Sequence, residues 1–173
     1  MRPSYASHPI SESPCARTAP VGGNRVGVAG VVVGMEISDA LEFVGARKNG
    51  VLATQKRDGR PQLSNITYAL IDGVIKISIT AGRAKYANLL RNPQASLHVA
   101  RDDFWAYVVI DGEAEVSAVA TKPDDPGVDE LVDYYRALAG EHPDWDDYRK
   151  VMVADKRVIV RLKPTHSYGV LSR

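Results

Sequence analysis

The most regular pattern in the chain is the strict alternation of apolar and polar residues over positions 74–80. Alternation with a period of two predicts a β-strand with one buried face, which here carries Ile75, Ile77 and Ile79. Six other apolar runs have the length and composition of strands. They span residues 50–57, 60–71, 95–101, 105–110, 113–119 and 157–163. Pro164 is expected to end the last of these strands, because proline cannot donate a backbone hydrogen bond.

Asp-Gly pairs separate several of these runs. They are Asp58-Gly59, Asp72-Gly73 and Asp111-Gly112. This dipeptide accepts the positive backbone dihedrals of a two-residue hairpin turn, and such turns join antiparallel strands. Closing an antiparallel sheet into a barrel removes its exposed edges. The pattern therefore predicts a mainly β domain in which six or seven antiparallel strands form a small barrel.

Apolar residues at helical spacing predict three longer helices around the barrel, so the domain is α+β by count of elements. The first is capped by Ser38 and runs to Arg47; the second ends at Gly140, and Asp144 caps the third. The apolar stripes of the last two consist of Val128, Leu131, Val132, Tyr135, Leu138, Trp145, Tyr148, Val151 and Met152. We interpret these stripes as core packing rather than a ligand-binding surface.

The first 34 residues differ from the rest, because they are rich in Ser, Pro, Gly and Ala and show no sustained period. We expect residues 1–34 to be a flexible tail and residues 35–173 to form one domain. Met35 is a plausible alternative start, so the tail need not belong to the native protein. The apolar run at 26–33 is interrupted by glycine and is too short to span a bilayer.

Composition excludes several classes of function. An apolar fraction of 45% and a net charge of +1 are ordinary for a globular protein and give no sign of a nucleic-acid or membrane binder. Cys15 is the single cysteine, so no internal disulfide can form and a cytoplasmic location is expected. The four histidines are scattered, so no metal site is predicted, and the nucleotide-binding glycine motifs are absent.

One candidate site lies where the strand at 74–80 gives way, through a glycine turn, to a short helix. The start of a helix exposes backbone N–H groups and attracts anions, yet Arg83 and Lys85 are placed there. A bound phosphate or carboxylate would explain these cations, with Ser78, Thr80 and Asn88 as further partners. The alternative is an ordinary solvated helix end.

Polar and aromatic residues inside other strands give further candidates. Ser64 and Asn65 place a hydrogen-bonding group on each face of their strand, and they are either satisfied structural groups or ligand contacts. Trp105 and Tyr107 share one face of another strand, where they are either a packed pair or a surface for a planar ring. His166 and Tyr168 are interpreted as packing residues.

From about Ser38 to Val170 the chain resembles the split-barrel, FMN-binding superfamily that includes pyridoxamine 5′-phosphate oxidase. Within it, the chain is most similar to the actinobacterial group that uses the deazaflavin coenzyme F420. The segments that carry the resemblance are GVLATQKRDGRPQLSN, ISITAGRAKYANLLRNPQASL, FWAYVVIDGEAEV, AGEHPDWDDYRKVMVADKRV and THSYGV. The resemblance implies a homodimer of split barrels with peripheral helices, in which two cofactors lie in grooves between the subunits.

The resemblance also assigns roles to residues. Arg83 and Lys85 match cations near the cofactor phosphate, and Trp105 and Tyr107 match a segment that meets the cofactor across the groove. The complete set of cofactor-binding candidates is Ser64, Asn65, Ser78, Ile79, Thr80, Arg83, Lys85, Asn88, Trp105 and Tyr107. No side chain is assigned as a general acid, so a solvent proton would serve.

Three functions follow from the resemblance. The first is hydride transfer from reduced F420 to a small unsaturated or conjugated electron acceptor. The second is FMN-dependent chemistry of the pyridoxamine 5′-phosphate oxidase type, and the third is cofactor binding without turnover. The anionic glutamate tail of F420 distinguishes the first two, because it would be favoured by basic residues at the groove mouth. The candidates for that role are Lys48, Arg57, Arg60 and Arg91. The further basic residues with which the oxidases bind pyridoxal phosphate are not found, which favours F420.

Overall fold

The computed structural model describes residues 33–171, which contain eight strands and four helices. The strands are β1 (Val33–Gly34), β2 (Asn49–Gln55), β3 (Pro61–Thr67), β4 (Ala69–Ile71), β5 (Val74–Thr80), β6 (Gln94–Ala100), β7 (Tyr107–Val116) and β8 (Arg157–Val170). The helices are α1 (Ile37–Gly45), α2 (Ala84–Arg91), α3 (Pro126–Ala139) and α4 (Trp145–Ala154).

The strands form one antiparallel sheet that curls into a half-barrel, as the sequence predicted. The sheet order is β3-β2-β6-β7-β8-β5-β4, and β1 pairs with β8. Period-two alternation directs one set of side chains inward, including the fully buried Leu52, Ile75, Ile77, Leu97 and Leu162. The strands β3 and β5 contact each other but are not neighbours in the sheet order, so the barrel is split between them.

One of the three predicted hairpins is wrong. The pairs Asp58-Gly59 and Asp72-Gly73 do form turns, and both residues of the second have positive φ. By contrast, Asp111-Gly112 lies inside the continuous strand β7, where the register with β8 shifts. A β-carbon on Gly112 would lie 2.3 Å from the backbone oxygen of Lys163. Glycine is therefore required here by a close backbone approach at a bulge rather than by a turn.

The expected end of the last strand at Pro164 is also wrong. Strand β8 continues to Val170, and Pro164 pairs opposite Gly112, where the ladder is already irregular. A bulge tolerates proline because the regular ladder hydrogen bond is absent there. The predicted strand over residues 60–71 is divided at Tyr68, whose hydroxyl donates a 2.8 Å hydrogen bond to the carbonyl of Val44.

The helices agree with the sequence except at both ends of the first, which ends at Gly45 rather than Arg47. Helix α1 begins at Ile37, so Glu36 rather than Ser38 occupies the cap position. Asp144 caps α4 by accepting a 2.9 Å hydrogen bond from the N–H of Asp147, and Gly140 ends α3 with φ of 83°. Helices α3 and α4 bury a second apolar cluster against the outer side of β4 and β8.

Residues 33 and 34, which the sequence placed in the tail, form β1; residues 1–32, including Cys15, lie outside the described residues. Over the described part of the chain, no helix combines the length and the apolar character needed to cross a membrane.

Candidate functional site

A cavity of about 460 Å³ opens at the split between β3 and β5. This volume lies within the usual range of small-molecule sites, about 300 to 1,000 Å³. Five parts of the fold contribute to it: β3, β5, the start of α2, the helical layer of α3 and α4, and the start of β8. Its lining residues are Asn65, Ile66, Thr67, Ser78, Ile79, Thr80, Arg83, Lys85, Tyr134, Tyr135, Tyr148, Met152 and Arg157.

Strand alternation explains which residues of β5 reach the cavity. The side chains of Ser78 and Thr80 lie on the outer face of β5, whereas Ile79 is only 3% exposed because it points into the barrel core. Ile79 therefore presents its backbone to the cavity. Asn65 contributes from β3 across the split, where its side chain is exposed. These residues supply hydroxyl, amide and backbone groups that can hydrogen-bond a polar ligand.

The start of α2 brings two cations to the cavity. Arg83 occupies the N-cap position, and because a guanidinium has no acceptor atom, the helix start has no side-chain cap. The first turn also contains no acidic residue. Lys85, half-buried in the first turn, has its pKa lowered by burial and by the neighbouring guanidinium of Arg83. An uncapped helix start with two converging cations is suited to binding an anion.

A third cation, Arg157, is a cavity residue that the sequence analysis did not identify. It is the direct cross-strand partner of Thr80 in the β5–β8 ladder. Its Nη1 lies 3.5 Å from Ser78 Oγ, and its Nε lies 3.8 Å from Asp155 Oδ2. The Nε atom is buried, and no described residue accepts a hydrogen bond from it. No Asp or Glu is among the residues that line the cavity.

The helical layer supplies an aromatic wall. Tyr134 donates a hydrogen bond to the carbonyl of Thr67 at 2.9 Å, and Tyr148 donates one to the carbonyl of Leu131 at 3.0 Å. Burial raises the pKa of the Tyr134 hydroxyl and raises that of Tyr148 to about 12. Tyr135 also lines the cavity, with its ring centroid 5.1 Å from that of Tyr148. The core-packing interpretation is thus only part of the role of this stripe, and it is wrong for Val151, which is 42% exposed.

Six of the ten predicted site residues line this cavity together: Asn65, Ser78, Ile79, Thr80, Arg83 and Lys85. Two others, Ser64 and Asn88, belong to a polar network beside it. Ser64 Oγ accepts a 2.6 Å hydrogen bond from Gln62, and the buried amide of Asn88 donates to Thr54 Oγ1 at 3.1 Å. Within this chain their contacts are structural, and a cofactor-binding role for them stays a prediction.

Trp105 and Tyr107 lie on the outer side of the barrel, away from the cavity. Trp105 is in the loop before β7 rather than in a strand, and 77% of it is exposed. Tyr107 begins β7, and its ring packs against that of His98 in a tilted arrangement with a centroid distance of 5.6 Å. A second concavity of about 520 Å³ lies here, lined by His98 and Phe104 and sharing residues 65–67 with the first.

The four basic residues expected at the groove mouth are not among the cavity-lining residues. Arg60 pairs with Asp58, and Arg91 donates to the Asn88 side chain at 3.1 Å. Lys48 donates to the carbonyl of Leu138. Within residues 33–171, no three His, Cys, Asp or Glu side chains gather closely enough to hold a metal ion.

The groups that converge on the cavity fit a ligand with an anionic group and a planar ring.

Residues 38–171 match the sequence profile of the family described as pyridoxamine 5′-phosphate oxidase. The chain is similar to a conserved hypothetical protein of Mycobacterium tuberculosis, with 28% identity, a TM-score of 0.61, and 79% of this chain and 84% of that one covered. It is also similar to a protein described as an F420 reductase, with 27% identity, a TM-score of 0.52, and coverage of 73% and 94%. A FAD-binding protein from Mesorhizobium loti shares the fold at 22% identity and a TM-score of 0.57, with coverage of 80% and 95%. The chain therefore belongs to the pyridoxamine 5′-phosphate oxidase family, as the resemblance of its sequence segments predicted.

Proposed function

We propose that this protein is an oxidoreductase that uses reduced F420 to deliver a hydride to a small unsaturated or conjugated acceptor. The observation that carries the proposal is the cavity at the barrel split, where the uncapped start of α2 presents Arg83 and Lys85 and no carboxylate opposes them. The similarity to an F420 reductase over 73% of this chain supports the choice of cofactor.

In this proposal the protein binds and orients, while the bound deazaflavin would supply the hydride chemistry. Arg83, Lys85 and the hydroxyls of Ser78 and Thr80 hold the phosphate, because they supply the cations and hydrogen-bond donors among the residues that line the cavity. Asn65 lies beside the ring, and the backbone of Ile79 lies beside the ribityl-phosphate segment. The buried hydroxyls of Tyr134 and Tyr148 already donate to backbone carbonyls, so they hold the wall in place, and solvent supplies the proton.

A homodimer completes the proposed site. On the outer face of the sheet, register aligns Val51, His98, Val109 and Tyr168 across four strands. Around this row Leu63 is 64% exposed and Phe104 is 82% exposed. Exposed apolar side chains that cluster on one face of a sheet are stabilised when a second copy of the chain covers them. Trp105 and Tyr107 would then meet the cofactor bound to the partner, which accounts for their distance from their own cavity.

We also propose a cytoplasmic location.

FMN is the alternative cofactor, and one observation favours it. The four basic residues expected to accompany the glutamate tail of F420 do not line the cavity of this chain. FMN carries a phosphate but no such tail, so Arg83 and Lys85 would suffice for it.

A side-by-side titration of the purified protein with F420, FMN and pyridoxal phosphate tests the proposal. We expect the lowest Kd for F420, followed by oxidation of reduced F420 in the presence of at least one enone, quinone or tetrapyrrole. Tighter binding of FMN would reverse the order of the two cofactors. Tight F420 binding without turnover of any acceptor would favour a carrier protein.

A further inference from the structure

Helix α2 is fastened to β2 by side chains from its second half. The side-chain amide of Asn88 donates a 3.1 Å hydrogen bond to the hydroxyl of Thr54, and Arg91 donates one to the backbone carbonyl of Gln55. The start of the helix, which carries the two cations of the cavity, has no side-chain cap. The bonds to β2 are made about one turn or more after those cations, so they act on the helix start only through the helix itself.

The bond between Asn88 and Thr54 is buried at both ends. Asn88 is 6% exposed and Thr54 is 3% exposed, and among the described residues they are two of the three buried polar residues other than tyrosine. The hydroxyl of Thr54 also donates to Gln62 Oε1 at 3.2 Å, and Asn88 Oδ1 accepts from Arg91 at 3.1 Å. Turning Asn88 away from Thr54 would leave buried polar atoms without partners, which costs stability.

This bond fixes the rotation of α2 about its axis. Asn88 lies three positions after Lys85, so the two side chains are neighbours on one face of the helix. Leu89 is 3% exposed and packs in the barrel core, but apolar packing is non-directional and tolerates rotation. A hydrogen bond is directional, so the bond of Asn88 to Thr54 determines where Lys85 points.

We propose that Asn88 and Thr54 are positioning residues for the cofactor phosphate: their buried hydrogen bond sets the rotation of α2 that presents Arg83 and Lys85 to the cavity. The inference rests on the proposed function, which assigns the phosphate to these cations. Neither Asn88 nor Thr54 is among the residues that line the cavity, so both act through the helix. The role differs from the direct contact that the resemblance implies for Asn88.

The test compares ligands that share a ring and differ in the phosphate. One pair is FMN and riboflavin; the other is F420 and the ribityl deazaflavin that remains when its phosphate ester is removed. The measured quantity is the ratio of the two dissociation constants of a pair, phosphate-free to phosphate-bearing. A general loosening of the fold weakens both ligands and leaves the ratio unchanged, whereas a misplaced helix start weakens only the phosphate-bearing ligand and lowers the ratio.

Three variants isolate the bond. Thr54→Val removes the hydroxyl and nearly keeps the shape of the side chain, whereas Thr54→Ser keeps the hydroxyl. Ser167→Ala is the matched control, because it removes another buried hydroxyl, which donates to the carbonyl of Met35 at 2.8 Å and lies outside the cavity. Thermal unfolding of the ligand-free variants compares their losses of stability.

We expect Thr54→Val to raise the Kd of the phosphate-bearing ligand by about tenfold and that of the phosphate-free ligand by less than about twofold, as for loss of one charged hydrogen bond. Thr54→Ser and Ser167→Ala should keep the wild-type ratio, even where Ser167→Ala lowers the unfolding temperature as much as Thr54→Val does. Rescue by serine would tie the effect to the hydroxyl rather than to the volume of the side chain.

Two results would overturn the inference and leave the proposed function standing. One is an unchanged ratio in the Thr54→Val protein, and the other is an equal fall of the ratio in Thr54→Val and Ser167→Ala. A wild type that does not prefer the phosphate-bearing member of either pair would overturn the proposed function and this inference together.

If Thr54→Val does not fold, Asn88→Ala and Asn88→Asp replace it. The new carboxylate can still accept from the Thr54 hydroxyl and pair with Arg91, so positioning predicts a ratio closer to the wild type for Asn88→Asp than for Asn88→Ala. Direct contact of Asn88 with the phosphate predicts the reverse order, because a carboxylate repels an anion, and that order would overturn the inference.

Discussion

The hydroxyl of Tyr134 on α3 donates a hydrogen bond to the backbone carbonyl of Thr67 at the end of β3, at a distance of 2.9 Å. The two residues are 67 positions apart in the sequence, yet both line the cavity at the barrel split. This bond fastens the helical layer to the strand on the opposite side of the opening. The width of the cavity therefore depends on a contact that no local sequence pattern contains.

Replacing Tyr134 by phenylalanine should lower the free energy of unfolding by about 1 kcal/mol, the usual net value of one hydrogen bond. The ring stays in the apolar cluster, so only the tie between α3 and β3 is lost. Chemical denaturation of the variant measures the change. Tyr135→Phe is the control, because Tyr135 lines the same cavity and its hydroxyl has no hydrogen bond within the described chain. Equal effects of the two substitutions would argue against a special role for the tie.

Replacing Gly112 by alanine should destabilise the fold by several kcal/mol, because the new methyl group would meet the backbone oxygen of Lys163 at 2.3 Å. A backbone atom in a sheet cannot move aside as a flexible side chain can. Thermal unfolding measures the loss. Gly82→Ala should be nearly neutral, since a β-carbon there would have no neighbouring atom within 4 Å and the φ of Gly82 is not positive. A stable Gly112→Ala protein would mean that β7 and β8 separate at this bulge.

Replacing Leu63 by aspartate should shift the proposed dimer to monomer, because it places a charge on the outer sheet face. Leu90→Asp is the matched control: Leu90 has similar exposure, 62% against 64%, but belongs to helix α2. Sedimentation velocity of both variants gives the oligomeric state. The Leu63 variant should also bind F420 more weakly, since the partner no longer covers the cofactor. A dimeric Leu63→Asp protein would move the interface elsewhere.

Local patterns predicted those parts of the site that depend on alternation within one strand. In β5, period two placed Ser78 and Thr80 on the face opposite the buried isoleucines. In β3 it separated Ser64 from Asn65 but did not tell which of the two faces outward, and the structure shows that Asn65 does. Arg157 was not predictable in this way. It reaches the cavity only because β8 pairs with β5 in the register that sets Arg157 opposite Thr80, and that register is a property of the whole sheet.

The wrong turn at Asp111-Gly112 and the wrong strand end at Pro164 have a related cause. Glycine after aspartate suits a turn, but it also suits a strand where another backbone comes close, and residues 111 and 112 alone do not distinguish the two. The distinction comes from Lys163, which is remote in sequence and adjacent in space. Pro164 was misinterpreted for the same reason, because its tolerance depends on the bulge in the neighbouring strand.

Replacing Lys85 by alanine should weaken cofactor binding by about 1.5 to 3 kcal/mol, the range for a hydrogen bond to a charged group. The charge also makes binding depend on pH. Burial and Arg83 hold the pKa of Lys85 in the free protein below its ordinary value of 10.5. An anionic cofactor binds the protonated form, so affinity is complete below the lowered pKa and falls as the pH rises through it.

Lys85→Arg separates this effect from titration of the cofactor itself, because arginine stays charged throughout the range. The ratio of the two dissociation constants, wild type to Lys85→Arg, should be constant at neutral pH and should rise with alkalinity before pH 10.5 is reached. Fluorescence titration at a series of pH values measures the ratio. A ratio that stays flat up to the ordinary lysine pKa would show that Lys85 does not hold the anion, and with it the phosphate site at the start of α2 would lose its second cation.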